Sequence, residues 1–124
     1  MPKSRPKHLN LLTIRFPVMA VVSGMHRISG AVLFLFLPLF LWLWQETLGS
    51  RESFETFRSV VSNPLMKIIL LGLLWGYLHH LCAGIRHLAL DLHLGIELAA
   101  ARASSVAVLV ASIGLTVIAG VALW

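Results

Sequence analysis

The chain has 124 residues, of which 58% are hydrophobic and 12% charged, and its mean hydropathy is +0.87. A soluble domain of this length would carry far more polar surface, so the composition excludes one and points to a single integral membrane domain over residues 1–124. The formal net charge of +5 does not imply a nucleic-acid partner. The basic residues are scattered along a lipid-like sequence and read better as topology signals.

The N-terminus, MPKSRPKHLN, is polar and basic and lacks the apolar region of a cleavable signal. It is short and poor in Ser and Arg for a mitochondrial transit peptide, which favours a bacterial inner membrane. The stretch RPKHLNLLTIRFP, with Pro6 and Pro17 near its ends, is expected to lie along the cytoplasmic surface. A helix needs about 20 apolar residues to cross the hydrocarbon, and three segments qualify. The first runs over residues 19–48, is free of charge from Ile28 to Trp44, and holds Pro38, which predicts a kink. The second runs over residues 64–93 and opens on Pro64, a good first-turn residue. It contains the single cysteine, Cys82, which reads as a small buried hydrophobe. The third runs over residues 102–124, and Ser112, Gly114 and Gly120 suit close helix packing. Trp42, Trp44 and Trp124 fall near span ends, as an aromatic belt would.

Lysine and arginine set the orientation. Lys3, Arg5, Lys7, Arg15 and Arg27 crowd the N-terminal side with no acid among them. The loop from Gly49 to Asn63 balances Arg51 and Arg58 against Glu52 and Glu55, and the second connection is assigned Arg86 and Arg102. The N-terminus and second connection are therefore placed in the cytoplasm, the first loop and Trp124 in the periplasm.

Ionisable side chains in a bilayer are costly and tend to mark sites. The stretch HHLCAGIRHLALDLH, residues 79–93, holds four histidines, an arginine and an aspartate in the second span. His80, Gly84, His87 and Asp91 are separated by steps of four, three and four, so they share one helical stripe. His79 points about 100° away from His80, and His80 and His87 are about 10 Å apart along the axis. Zinc would want four ligands close together, including thiolates or carboxylates, and this span offers no such set at zinc spacing. Haem suits it better: one histidine ligates iron, Gly84 leaves room for a flat macrocycle, and His87 meets a propionate at the polar edge. The alternative is a membrane histidine that only hydrogen-bonds a neighbouring helix.

A second cluster, SGMHRISG at residues 23–30, lies near the cytoplasmic boundary of the first span. Ser23, His26 and Arg27 fall on adjoining turns and could bind a carboxylate or a quinone carbonyl. Taken alone, Arg27 would read as a snorkelling cation and Ser23 as a helix-start residue.

Together the clusters resemble the cytochrome b membrane-anchor subunits of succinate dehydrogenase (respiratory complex II). That pattern is matched by Arg5-Pro6, then Ser23, His26-Arg27 and Ser29, and then His80, Gly84, Ile85, Arg86-His87 and Asp91. The sequence departs from it at Leu90, where an aromatic or methionine is usual, and at His93, where a small residue is usual. The resemblance implies an all-α integral membrane protein whose three spans form half of a helix bundle completed by a second anchor subunit. It implies one haem b shared with that subunit, His80 as axial ligand, and His26, Arg27 and His87 beside the propionates. Ser23 and Arg27 would bind quinone. The implied partners are the second membrane subunit, an iron–sulfur subunit, a flavoprotein subunit, ubiquinone or menaquinone, and membrane lipid.

The chain itself has no flavin motif and no cysteine set for a cluster, so it holds no dicarboxylate site and serves the enzyme as a subunit. The rival readings are a menaquinol-linked fumarate reductase anchor, another membrane cytochrome b, and a haem-free assembly subunit. Because His79 points elsewhere and His26 and His87 sit nearer the surface, the sixth iron ligand is expected from the partner subunit.

Overall fold

The computed structural model describes residues 4–5 and 10–124, so most of the basic N-terminal segment, including Pro6, lies outside the described residues. Five α-helices and no strands make up these residues: α1 (Val18–Leu35), α2 (Leu37–Leu48), α3 (Arg51–Ser62), α4 (Pro64–Asp91) and α5 (Leu98–Leu123). The chain is all-α, and α1, α4 and α5 are each long and apolar enough to cross a membrane. Ahead of α1, Asn10 closes a short turn by accepting from Leu12 N–H at 3.1 Å, and Leu11, Leu12, Ile14 and Phe16 are exposed. An exposed apolar run of this kind suits the membrane interface expected for the segment.

The first span is two helices. Phe36 takes φ −89°, ψ 0° between α1 and α2, and Pro38 stands in the first turn of α2. Proline has no N–H to offer the preceding turn, and its ring crowds the carbonyl there. Hydrogen bonding resumes at once, with Phe36 N–H to Val32 O at 3.0 Å and Phe40 N–H to Phe36 O at 3.2 Å. The break is therefore a kink and not a loop, in line with the Pro38 expectation.

The segment read as a loop is a helix. Ser50 and Ser53 cap α3 reciprocally: Ser53 N–H donates to Ser50 Oγ at 3.2 Å, and Ser50 N–H donates to Ser53 Oγ at 2.8 Å. This satisfies two donors that a helix start leaves open. The Arg58–Glu55 pair on its outer face is 3.7 Å long and solvent-facing, so it contributes little.

α4 starts where expected, because Asn63 Oδ1 accepts from Leu65 N–H at 2.9 Å and Met66 N–H at 3.3 Å ahead of Pro64. It ends at Asp91, two residues short of the expected limit. His93 N–H donates to Leu90 O and Leu94 N–H to Ala89 O, both at 2.9 Å, and His93 has φ 61°. Those bonds form a Schellman cap whose left-handed residue is ordinarily glycine.

α5 begins at Leu98, four residues before Arg102. The second connection is thus only residues 92–97, and both arginines assigned to it lie in helices instead. The helix continues past Arg102 because a charge near a membrane end does not interrupt backbone bonding.

Val22, Ala83 and Val108, one from each long helix, form the buried centre, with Val18, Cys82 and Leu109 packed against it. Cys82 is half-buried and free. Ser105 and Ser112 are fully buried on α5; their hydroxyls donate back to Ala101 O at 2.9 Å and Leu109 O at 3.1 Å. Small, internally satisfied residues let helices meet where lipid supplies no hydrophobic drive. Gly120 serves the same end, since a Cβ there would stand 2.9 Å from Leu71 Cδ2. Gly114 does not: among the described residues nothing lies within 4 Å of its Cβ direction. Beyond the kink α2 rests on α3 and not on α4. The gap is an apolar cavity of about 600 Å³ bordered by Leu33, Phe40, Phe57, Leu74, Tyr77 and Trp124.

Candidate functional site

The polar side chains collect where α1 begins and α4 ends. The His26 and His80 rings stack with centroids 4.2 Å apart and planes 13° apart. The His87 ring lies 5.0 Å from His26, tilted by 52°. Gly84 faces the same ring, since a Cβ on it would stand 3.6 Å from His26 Nε2. The stripe of His80, Gly84 and His87 thus turns toward α1 as helical spacing predicts, and His26 is the residue it meets. The room above Gly84 holds the His26 imidazole in this chain.

His80 Nδ1 lies 3.0 Å from the His26 carbonyl oxygen and 3.2 Å from Ser29 Oγ. A carbonyl can only accept, so Nδ1 carries the proton and donates. The neutral ring then keeps a lone pair on Nε2, the state in which histidine ligates a metal. The two readings of a membrane histidine are therefore compatible: one nitrogen bonds the neighbouring helix, and the other is left available to a metal. His26 lies parallel against the face of His80, so the two rings cannot oppose one another across a single metal. Among the described residues no group of three or more His, Cys, Asp and Glu stands close enough together to hold a metal ion.

Ser23 and Arg27 stand on successive turns of α1, Ser23 half-buried and Arg27 exposed. Asp91, at the end of the stripe, is exposed.

Several residues here make contacts that sequence reasoning did not foresee; Arg86 was read only as a topology cation and a motif member. Arg86 is only 8% exposed. Its Nε donates to Ser104 Oγ at 2.9 Å and its Nη2 to Ala101 O at 3.3 Å, so it ties α4 to α5 beside the histidine cluster. His79 is 1% exposed; among the described residues neither ring nitrogen meets a hydrogen-bond partner at full geometry, with the Val22 backbone beside it. Its ring is 5.7 Å from that of Trp75, whose indole N–H is also unpaired. Ser29 and Gly30 face His80; Ser29 was visible in advance only as a member of a motif, and Gly30 only as the last residue of the stretch SGMHRISG.

A three-span chain with a histidine cluster at one end can be compared with known proteins. Residues 1–119 match the family model for the succinate dehydrogenase/fumarate reductase transmembrane subunit. The chain belongs to that family. It is similar to the succinate dehydrogenase cytochrome b556 subunit of Coxiella burnetii, at 41% identity over 125 residues and the whole of both chains. It is similar to the subunit of the same name from Paracoccus denitrificans, at 36% identity over 93% of this chain and 88% of the relative. The Rickettsia prowazekii subunit of that name is 29% identical over 92% of this chain and 89% of its own. Membership makes the chain a membrane subunit of an oxidoreductase complex, and the family resemblance read from the two motifs is correct.

Proposed function

We propose that the chain is the cytochrome b anchor of a bacterial succinate dehydrogenase, holding one haem b with a second membrane subunit and forming part of a quinone site. The observation that carries this reading is the His80 ring, pinned through Nδ1 to α1, which would leave Nε2 to ligate iron. Haem, when bound, would carry single electrons beside the path from the iron–sulfur subunit to quinone. His26, Arg27 and His87, grouped at the same end of the helices, would donate hydrogen bonds or positive charge to the propionate carboxylates. Gly84 would keep the adjoining wall of α4 free of a side chain. Ser23 and Arg27 would hold quinone oxygens and stabilise the negative charge that builds on them during reduction. The sixth iron ligand would come from the second membrane subunit, because His26 is stacked on His80 and not opposed to it.

The relatives' names favour succinate oxidation over fumarate reduction. The excess of lysine and arginine on the N-terminal side supports a cytoplasmic N-terminus and a periplasmic Trp124 in the inner membrane. The iron–sulfur and flavoprotein subunits would then dock on the cytoplasmic side.

The test is a reduced-minus-oxidised spectrum of the purified complex with paired activity assays. The wild type should show the α-band of a low-spin b haem, and His80→Ala should lose or shift it. Ser23→Ala should keep the spectrum while quinone-linked activity falls and succinate oxidation by an artificial acceptor persists. The loss of one hydrogen bond to quinone is on the order of 1 kcal/mol, roughly fivefold. Arg27→Leu should show both defects. A wild-type complex without haem would leave a haem-free assembly subunit as the better reading.

A further inference from the structure

We propose that the α1 turn from His26 to Gly30 fixes the orientation and tautomer of His80, with Ser29 and Gly30 as positioning residues for the iron ligand. This rests on the assignment of His80 as that ligand. Three contacts from one helical turn converge on the ring. The His26 carbonyl accepts from Nδ1–H at 3.0 Å. Ser29 Oγ lies 3.2 Å from the same nitrogen, and its own proton is directed to the His26 carbonyl at 2.9 Å. The Ser29 oxygen is therefore left to accept a second branch of the His80 N–H.

Gly30 completes the cradle by having no side chain. A Cβ there would stand 2.9 Å from His80 Cε1, 3.3 Å from Nδ1 and 3.9 Å from Nε2. The first distance is closer than real contacts allow, and Cε1 lies between the two nitrogens. An added methyl group must push the ring off the carbonyl, swing Nε2 away from its place, or part α1 from α4. Gly24, two turns earlier on the same helix, has nothing within 4 Å of its Cβ direction. The two glycines share a helix and a residue type, so the difference between them isolates the contact with His80.

Donation from Nδ1–H to oxygen acceptors fixes a histidine ligand's tautomer and raises its basicity, and changes to such partners cost about 10- to 100-fold in metal affinity. Gly30→Ala in the assembled complex should lower haem affinity at least about tenfold in titration of the haem-depleted complex. The haem that remains should carry an altered low-spin electron paramagnetic resonance signal. Ser29→Ala removes one acceptor, so the ring gives less charge to iron and the haem midpoint potential should rise. Ser29→Thr keeps the hydroxyl and should restore the wild-type potential. Gly24→Ala should match the wild type in haem affinity and resonance signal.

If His80→Ala retains the wild-type haem signal, the ligand assignment itself fails. If His80→Ala loses it while Gly30→Ala and Ser29→Ala both behave like Gly24→Ala, the cradle is overturned and the ligand assignment stands. Should Gly30→Ala prevent assembly, the Ser29→Ala and Ser29→Thr pair decides by potential alone.

Discussion

The two ends of the same helix pair are built on opposite rules. On the side of the kink where α1 lies beside the second half of α4, the backbones are close: a Cβ on Gly30 would stand 2.9 Å from the His80 ring and one on Gly84 3.6 Å from that of His26, with Val22 and Ala83 fully buried alongside. Past the kink at Phe36, α2 leaves α4 and an apolar cavity of about 600 Å³ opens between them. The apolar end is far richer in large hydrophobic side chains, yet it is the looser end. In lipid, bulk apolar surface gives helices no reason to meet, whereas small residues and polar bonds do. Position in this bundle is set by glycine, alanine, serine and imidazole.

The largest expected effect tests whether the two ends differ in packing tolerance. Ala83→Leu forces a branched side chain into the closed end and should destabilise the complex by about 3 kcal/mol. Leu74→Phe also adds three carbon atoms, here beside the cavity, and should cost almost nothing in a thermal melt of the purified complex. Equal losses would erase the contrast.

Next is the polar tie. Arg86→Met removes the donors to Ser104 and Ala101 and should cost about 2 kcal/mol, within the range for hydrogen bonds to a charged group. Arg86→Lys should recover only part of it, because an ammonium cannot reproduce the guanidinium fork. Full recovery by lysine would mean that charge, and not geometry, holds α4 to α5.

His79 sharpens the comparison in the other direction. It is a buried polar ring whose nitrogens meet no hydrogen-bond partner at full geometry among the described residues, so His79→Leu should stabilise by about 1 kcal/mol and leave the haem spectrum unchanged. A spectral change would assign it to the site.

The smallest effect belongs to the turn. His93 holds φ 61° without being glycine, and His93→Gly should add about 0.5–1 kcal/mol, read as a small rise in melting temperature.

Much of this arrangement was legible beforehand. Helical spacing placed His80, Gly84 and His87 on one stripe and turned His79 away, because the period is a property of the backbone. Pro38 announced the kink through its missing N–H. α3 was not legible by hydropathy, since Arg51, Glu52, Glu55 and Arg58 mask its apolar side; the Ser50–Ser53 cap was the available signal. The start of α5 was misplaced for a related reason, because the span was taken to begin at a charge.

At the site itself, a sequence says which residues share a face but not what faces them. Gly30 and Gly24 look alike in the chain, and only the approach of α4 distinguishes them. Ser29 is similar: its hydroxyl could have served solvent, its own helix or His80. His93 marks the opposite case, where a departure from the family pattern became a strained but serviceable turn.

The tie from Arg86 to α5 also orders events during synthesis. The guanidinium is made before either of its acceptors, which follow 15 and 18 residues later at Ala101 and Ser104. At roughly 5–20 residues per second, the end of α4 waits about one to four seconds for them. Until then the guanidinium lacks both of its α5 acceptors, so α4 is tied to α5 only after the first turns of α5 have been made.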